Sequence, residues 1–183
     1  MHTVVHQRNM RMHIVSALLV GLVGSGIPLG LAEKVTLIFC VLLVLFAEML
    51  NTALEQLVDL AIQQFDEKAR LTKDIAAAAV LVLAVGTVVI FAALLVHNAS
   101  TLMEHLDNIR RQVLIGIPLI LCAGALVQNL RRPTWMLVTL GLVSFACWGV
   151  SLSWTESTVF SALTLGMLIV CWSAAYTRKH ESI

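Results

Sequence analysis

Apolar residues fill this chain in long blocks rather than in short alternating runs. Blocks near 14–32, 35–54, 75–96, 113–130, 134–153 and 158–176 each approach the roughly 20 residues that a helix needs to cross the hydrocarbon core of a bilayer. Inside lipid every backbone polar group must find its partner within the protein, so blocks of this length are helical. The pattern predicts an all-α integral membrane protein with about six transmembrane helices. The first block follows Arg8 and Arg11, as in a secretory signal, but no small-x-small cleavage pattern closes it, and it is read as an uncleaved helix.

The polar breaks give the chain an orientation. With the N-terminus inside, Arg8 and Arg11, then Glu67, Lys68, Arg70 and Lys73, then Arg131 and Arg132, then Arg178 and Lys179 all fall in the cytoplasm, as the positive-inside rule asks. Glu33, Lys34, residues 97–111 and Glu156 fall on the other side, where Arg110 and Arg111 are the one exception. Residues 97–112 interrupt the apolar pattern with Asn98, Ser100, Glu104, His105, Asp107 and Asn108, which predicts a linker or short surface helix. The expected organisation is a core of three helices over 1–96, that linker, and additional transmembrane helices over 113–183. Gly26-Ile27-Pro28-Leu29 recurs as Gly116-Ile117-Pro118-Leu119, as in a duplicated transporter. A duplication would repeat the polar stripe described below, and 113–183 has no acidic residue inside an apolar block, so the repeat reading is disfavoured.

Composition narrows the classes further. The chain is 59% hydrophobic and 13% charged, with a mean hydropathy of +0.91, outside the range of ordinary soluble domains. A formal net charge of +1, with no Lys/Arg block, argues against nucleic acid as a partner. Cys40, Cys122, Cys147 and Cys171 lie inside apolar blocks without the close pairing of a zinc or redox motif, and read as packing residues. Trp135, Trp148, Trp154, Trp172 and Tyr176 read as interfacial or packing aromatics.

The second block does not end cleanly. It runs into Phe46-Ala47-Glu48-Met49-Leu50-Asn51-Thr52-Ala53-Leu54-Glu55-Gln56-Leu57-Val58-Asp59, where acidic and apolar residues interleave. Glu48, Asn51, Glu55 and Asp59 are spaced three, four and four apart, which on a helix puts them on one narrow face. An ionisable side chain at membrane depth costs about 2.5–3.5 kcal/mol or more, so such a stripe is kept only with partners or a function. The carboxylates cannot pair with one another; the available cations are Lys73 and a divalent metal, and carboxylate oxygens suit magnesium carrying ATP phosphates. Alternatively, the helix has left the bilayer by Glu55, and Glu55 and Asp59 simply face water. Glu48 follows only about 13 apolar positions, fewer than a full span, which places it near the inner interface.

Residues Arg70 to Leu83 open the third helix, with Lys73-Asp74 at its cytoplasmic end, and the alanines that follow permit close helix packing. Alone, that pair would be an interfacial anchor and a helix-start acid. No Gly-x-x-x-x-Gly-Lys-Ser/Thr loop and no protein-kinase signature occurs, so a nucleotide site would have to be built between membrane helices.

Glu48-Met-Leu-Asn51-Thr-Ala-Leu-Glu55-Gln-Leu-Val-Asp59, followed by Lys73-Asp74-Ile-Ala-Ala-Ala-Ala-Val-Leu, resembles the signature of the prokaryotic diacylglycerol kinase family. Arg8-Asn9-Met10-Arg11-Met12-His13 resembles the start of that family's first transmembrane helix, in the form common among undecaprenol kinases. The likeness covers about residues 7–96, and 113–183 has no counterpart in the minimal family.

The resemblance implies an ATP-dependent, magnesium-requiring lipid kinase in the bacterial inner membrane, working on the cytoplasmic side as a homotrimer. Diacylglycerol and undecaprenol are both implied acceptors. Glu48 would be the general base on the lipid hydroxyl, and Glu55 would ligate magnesium. ATP would meet Glu55, Asp66, Lys73 and Asp74, with Asn51 and Asp59 completing the polar network. Asn9, Met10 and Arg11 would border the lipid beside Glu48. Gln7 stands where the family has a second metal-binding glutamate, and a neutral amide is a weaker magnesium ligand. The likeness starts so near the first residue that the amphipathic surface helix preceding it in the family is expected to be missing. Two other classes compete: a family relative that has lost metal and ATP binding, and an ion or proton transporter. The transporter would need acids deeper in the bilayer, and none lies inside the apolar blocks of 75–96 or 113–183.

Overall fold

The computed structural model describes residues 8–64, 66–128 and 133–180; Gln7, Arg131 and Arg132 lie outside the described residues, as do the side chains of Arg8, Arg178 and Lys179. The described residues form helices and no strand: α1 (Arg8–Ser25), α2 (Leu31–Ala61), α3 (Glu67–His97), α4 (Ala99–Glu104), α5 (Leu106–Val127), α6 (Thr134–Ser151), a 3-10 turn (Leu152–Trp154) and α7 (Thr158–His180). Among them α2, α3, α5, α6 with its 3-10 turn, and α7 are long and apolar enough to cross a membrane, whereas the apolar part of α1, Asn9–Ser25, is shorter. The chain is a multi-pass, all-α membrane protein.

Several boundaries differ from those read off hydropathy, and each difference has a local cause. The first apolar block hides a turn, because Gly26, Ile27 and Leu29 are apolar but Pro28 cannot continue a helix and restrains the residue before it. Thus α1 closes at Ser25 with Gly26 N donating to Val23 O at 3.1 Å, and α2 opens only at Leu31. At the other end polar turns extend the helices beyond their apolar spans. Asp66 caps α3 by accepting from Ala69 N at 3.0 Å, so α3 starts well before residue 75. The stretch 97–112 holds the last residue of α3, then α4 and the first turns of α5. The two Gly-Ile-Pro-Leu segments differ in structure: the first is the α1–α2 turn, the second lies in mid-α5 with Pro118 inside the helix.

The helices α2 and α3, each 31 residues, form a long hairpin of about 46 Å at about 1.5 Å rise per residue. It is tied at both ends: Asn98 Nδ2 donates to Glu33 Oε1 at 2.7 Å, and Lys73 Nζ pairs with Asp59. The rest of the fold is organised around α1. Its Met10, Ile14, Ala17, Leu18 and Leu22 enter one buried apolar cluster with Val41 and Leu45 of α2, Leu119 and Ala123 of α5, and Leu168 and Cys171 of α7. Small residues set the helix separations. A Cβ on Gly116 of α5 would sit 3.0 Å from Leu22, and one on Gly141 of α6 would sit 1.8 Å from the Trp172 ring. Trp172 also meets Phe145 edge-on at 6.5 Å, and Trp148 Nε1 donates to Ser161 O at 2.9 Å, so these two tryptophans are packing residues. Trp135 and Tyr176 are exposed. All four cysteines are free thiols.

A polar tie fixes the end of α1 remote from Glu48. Ser25 O accepts from Glu156 N at 2.7 Å and from Thr155 Oγ1 at 3.3 Å, Asn108 Nδ2 donates to Glu156 Oε1 at 2.8 Å, and the fully buried Gln112 donates to Ser151 O at 3.0 Å. Glu33, Asn98, Asn108 and Glu156 are thereby gathered at one end of the bundle, as the charge pattern along the chain predicts.

The Gly141 notch gives a direct test of packing. Gly141→Ala is expected to lower stability by about 1–3 kcal/mol, since the ring of Trp172 must move. Gly149→Ala, on the same helix with no atom within 4 Å of the added carbon, should be neutral or slightly stabilising. Thermal unfolding of both variants in detergent measures the difference.

Candidate active site

The site grows out of the packed seam of α2. Leu37, Val41, Val44, Glu48 and Asn51 recur four, three, four and three residues apart, and all five are buried. A heptad-like stripe of this kind is the face one helix turns toward its neighbours. Glu48 and Asn51 therefore continue the apolar seam rather than facing lipid. Glu48 lies 13 residues after Val35, about 20 Å of helical rise into the apolar segment.

Exposure increases stepwise along the stripe. Glu48 is 1% exposed, Asn51 3%, Glu55 is half-buried, and the Asp59 side chain is 67% exposed. The water-facing alternative thus holds for Asp59, while Glu48 is enclosed. Asn51 Nδ2 donates to Glu55 Oε1 at 3.1 Å, the spacing that i and i+4 side chains allow on a helix. Asn51 Oδ1 and Glu48 Oε1 are buried without a hydrogen-bond partner among the described residues.

Two other helices complete the walls around Glu48. Asn9 and His13, one turn apart on α1, face it from one side, and Ala77, Val80, Leu81 and Ala84 of α3 from the other, around a cavity of about 190 Å³. His13 Nε2 stands 4.0 Å from Glu48 Oε2. A second cavity of about 220 Å³ continues from His13 and Ala84 along the same three helices, lined by residues such as Val20, Val41, Val44 and Phe91. Its lining is apolar except for His13, Ser16 and Thr87.

The remaining candidates take distinct places. Lys73, itself half-buried, pairs with the exposed Asp59 rather than with Glu48 or Glu55. Asp66 is the cap of α3. Asp74 lies on the first turns of α3 in a shallow exposed depression with Glu67, Lys68, Arg70 and Leu71. Met10 is 3% exposed and belongs to the buried cluster shared with α2, α5 and α7. Arg11 is half-buried, with its Nε shielded and without a partner among the described residues. Gln7 lies outside the described residues.

Sequence reasoning gave His13 no role of its own. Its signal was the four-residue step from Asn9, which puts both side chains on one face of α1. That step becomes informative only once α1 is known to lie against Glu48.

The donor set bears on a metal. Among the described residues no three His, Cys, Asp or Glu side chains converge into a self-contained cage. Glu55 offers one carboxylate, and the orphaned carbonyl oxygen of Asn51 lies one helical turn before it. Hard oxygens in such small number suit magnesium, which keeps several waters and completes its shell with substrate phosphates.

A family model described as prokaryotic diacylglycerol kinase matches residues 1–95. A curated protein from Synechocystis sp., called diacylglycerol kinase, is 38% identical over 98 residues, which is 53% of this chain and 56% of that protein. The chain thus spans only about half the length of the relative it matches. No solved structure matches.

The α3 cap is the local feature that carries Lys73 and Asp74 into place. Asp66→Ala is expected to cost about 1 kcal/mol locally. Amide hydrogen exchange should show faster exchange over residues 67–70 with the middle of α3 unchanged; equal rates would show that the cap contributes nothing.

Proposed function

The chain belongs to the prokaryotic diacylglycerol kinase family, and on that premise we propose that it transfers the γ-phosphoryl group of ATP to the hydroxyl of a membrane lipid. The observation that carries this reading is a buried carboxylate, Glu48, lining a cavity walled by Asn9 and His13 that adjoins, at His13 and Ala84, an apolar groove between α1, α2 and α3.

In this reading the apolar groove takes the upper part of a lipid chain, and its hydroxyl reaches Glu48. Glu48 removes the hydroxyl proton as the lipid oxygen forms its bond to the γ-phosphorus. The bond from that phosphorus to the β,γ-bridging oxygen breaks, and ADP leaves with the electron pair. The products are a lipid phosphate and ADP, with the proton on Glu48 before release to water. A base in this position is typically worth about 10²- to 10⁴-fold in rate.

Glu55 and Asn51 Oδ1 would hold magnesium, which supplies charge neutralisation on the transferring phosphate when bound. Lys73 and Asp74 approach the phosphates from α3, with Asp66 in the adjoining loop and Asp59 holding the Lys73 ammonium. The reading places the site on the cytoplasmic face of the bacterial inner membrane, because Lys68, Arg70 and Lys73 cluster at its end of the hairpin. A homotrimer is part of the proposal by family likeness, and it is compatible with α3, whose side chains other than Val80 are not fully buried. Diacylglycerol and undecaprenol both offer one hydroxyl on an apolar body.

Purified protein in mixed micelles with labelled ATP, magnesium and each lipid tests the proposal. The unmodified chain is expected to label one of the two lipids, and Glu48→Gln to lose at least about 100-fold in kcat. Gln7→Glu is expected to raise activity by restoring a charged metal ligand. If neither the unmodified chain nor Gln7→Glu labels any lipid, and magnesium-ATP does not bind, the chain is a non-enzymatic relative.

A further inference from the structure

The geometry points to His13 as a positioning residue that aligns Glu48 for the lipid hydroxyl, through a hydrogen bond from Nε2 to Glu48 Oε2 that forms when substrate is bound. The inference rests on the kinase reading above and assigns a role to a residue that reading does not use.

Three observations lead to it. His13 borders both the apolar groove and the Glu48 cavity, a position shared only with the methyl side chain of Ala84. It is the polar side chain at the junction, so a lipid hydroxyl moving from the groove to the carboxylate passes beside its ring. Its side chain is 22% exposed, whereas that of Glu48 is 2% exposed, so His13 retains freedom to move while the carboxylate is enclosed.

The two Glu48 oxygens also differ. Oε2 is the one 4.0 Å from His13 Nε2, whereas Oε1 is buried with no hydrogen-bond partner among the described residues. A carboxyl group acting as a base needs one oxygen free to receive the proton and benefits from having the other held. A hydrogen bond from His13 to Oε2 would hold the group while leaving Oε1 unbonded. The present 4.0 Å is too long for a hydrogen bond, as is common for catalytic contacts before substrate binds, and a side-chain rotation of about 1 Å closes it. Positional errors of that size can cost about 10²-fold in rate.

The test compares His13→Leu, His13→Gln and His13→Asn with the unmodified chain in the mixed-micelle assay, reading kcat and the KM for ATP and for lipid separately. Glutamine places an N–H donor close to where Nε2 lies, and asparagine is too short to bring one there. His13→Leu is expected to lower kcat about 10- to 100-fold with the KM for ATP unchanged. His13→Gln is expected to recover most of that loss, and His13→Asn little of it. Should His13→Leu fail to fold in detergent, the Gln and Asn pair still decides. Equal kcat for Gln and Asn, or full activity in folded His13→Leu, overturns the proposal and leaves the kinase reading intact. No lipid product from the unmodified chain or from Gln7→Glu overturns both.

Discussion

The fold is governed by one costly placement: a carboxylate, Glu48, buried on the packed seam of α2 within an apolar segment. An acid there is tolerated only where other helices shield it from hydrocarbon and supply polar neighbours. That requirement explains why α1 must lie against α2 and α3 at this depth, bringing Asn9 and His13 to the carboxylate. It also explains why the alanines of α3 matter. Ala77 and Ala84 line the Glu48 cavity, and side chains this small leave space beside the acid that larger ones would fill.

Placing α1 is in turn a task shared with the C-terminal half. One face of α1 carries Asn9 and His13 toward the hairpin, while Met10, Ile14, Ala17, Leu18 and Leu22 join a cluster with α5 and α7. Beyond Leu22 the end of α1 is held by polar bonds to the segment before α7, and the Gly26 turn lies against Ile109 and Gln112 of α5. The three additional helices are therefore not an independent appendage to this core. Of these, α5 and α7 form the back wall of the helix that encloses Glu48, and α6 packs against those two.

Much of this was legible in the sequence, for reasons tied to particular residues. The apolar blocks predicted the helices, and the spacing of Glu48, Asn51, Glu55 and Asp59 predicted one face, which the structure bears out along a gradient of exposure. Boundaries were less legible, because hydropathy marks where lipid begins rather than where hydrogen bonding ends. The Gly26-Ile27-Pro28 turn is apolar and was absorbed into the first block, and α3 begins at Glu67, three residues before the Arg70 at which the pattern opened it. Tertiary neighbours were not legible at all. Met10 and His13 sit three residues apart in one motif, about 60° around α1, yet one enters the buried cluster and the other borders the Glu48 cavity, a distinction that only the packing of α1 makes.

The gradient along α2 also bears on how the two very different substrates of the proposed kinase reaction would meet. A nucleotide is charged and arrives from water; a lipid is apolar and arrives by lateral diffusion. Asp59 and Lys73 lie at the exposed end of the stripe, Glu48 at its enclosed end, and the apolar groove continues from there along the helices. Phosphates drawn to the wet end and a hydroxyl delivered through the greasy end would therefore converge between Glu55 and Glu48. The intervening Asn51 donates to Glu55 and leaves its carbonyl oxygen unused. A neutral amide at that point, one turn from each acid, keeps the seam polar without adding a third charge to the enclosed end.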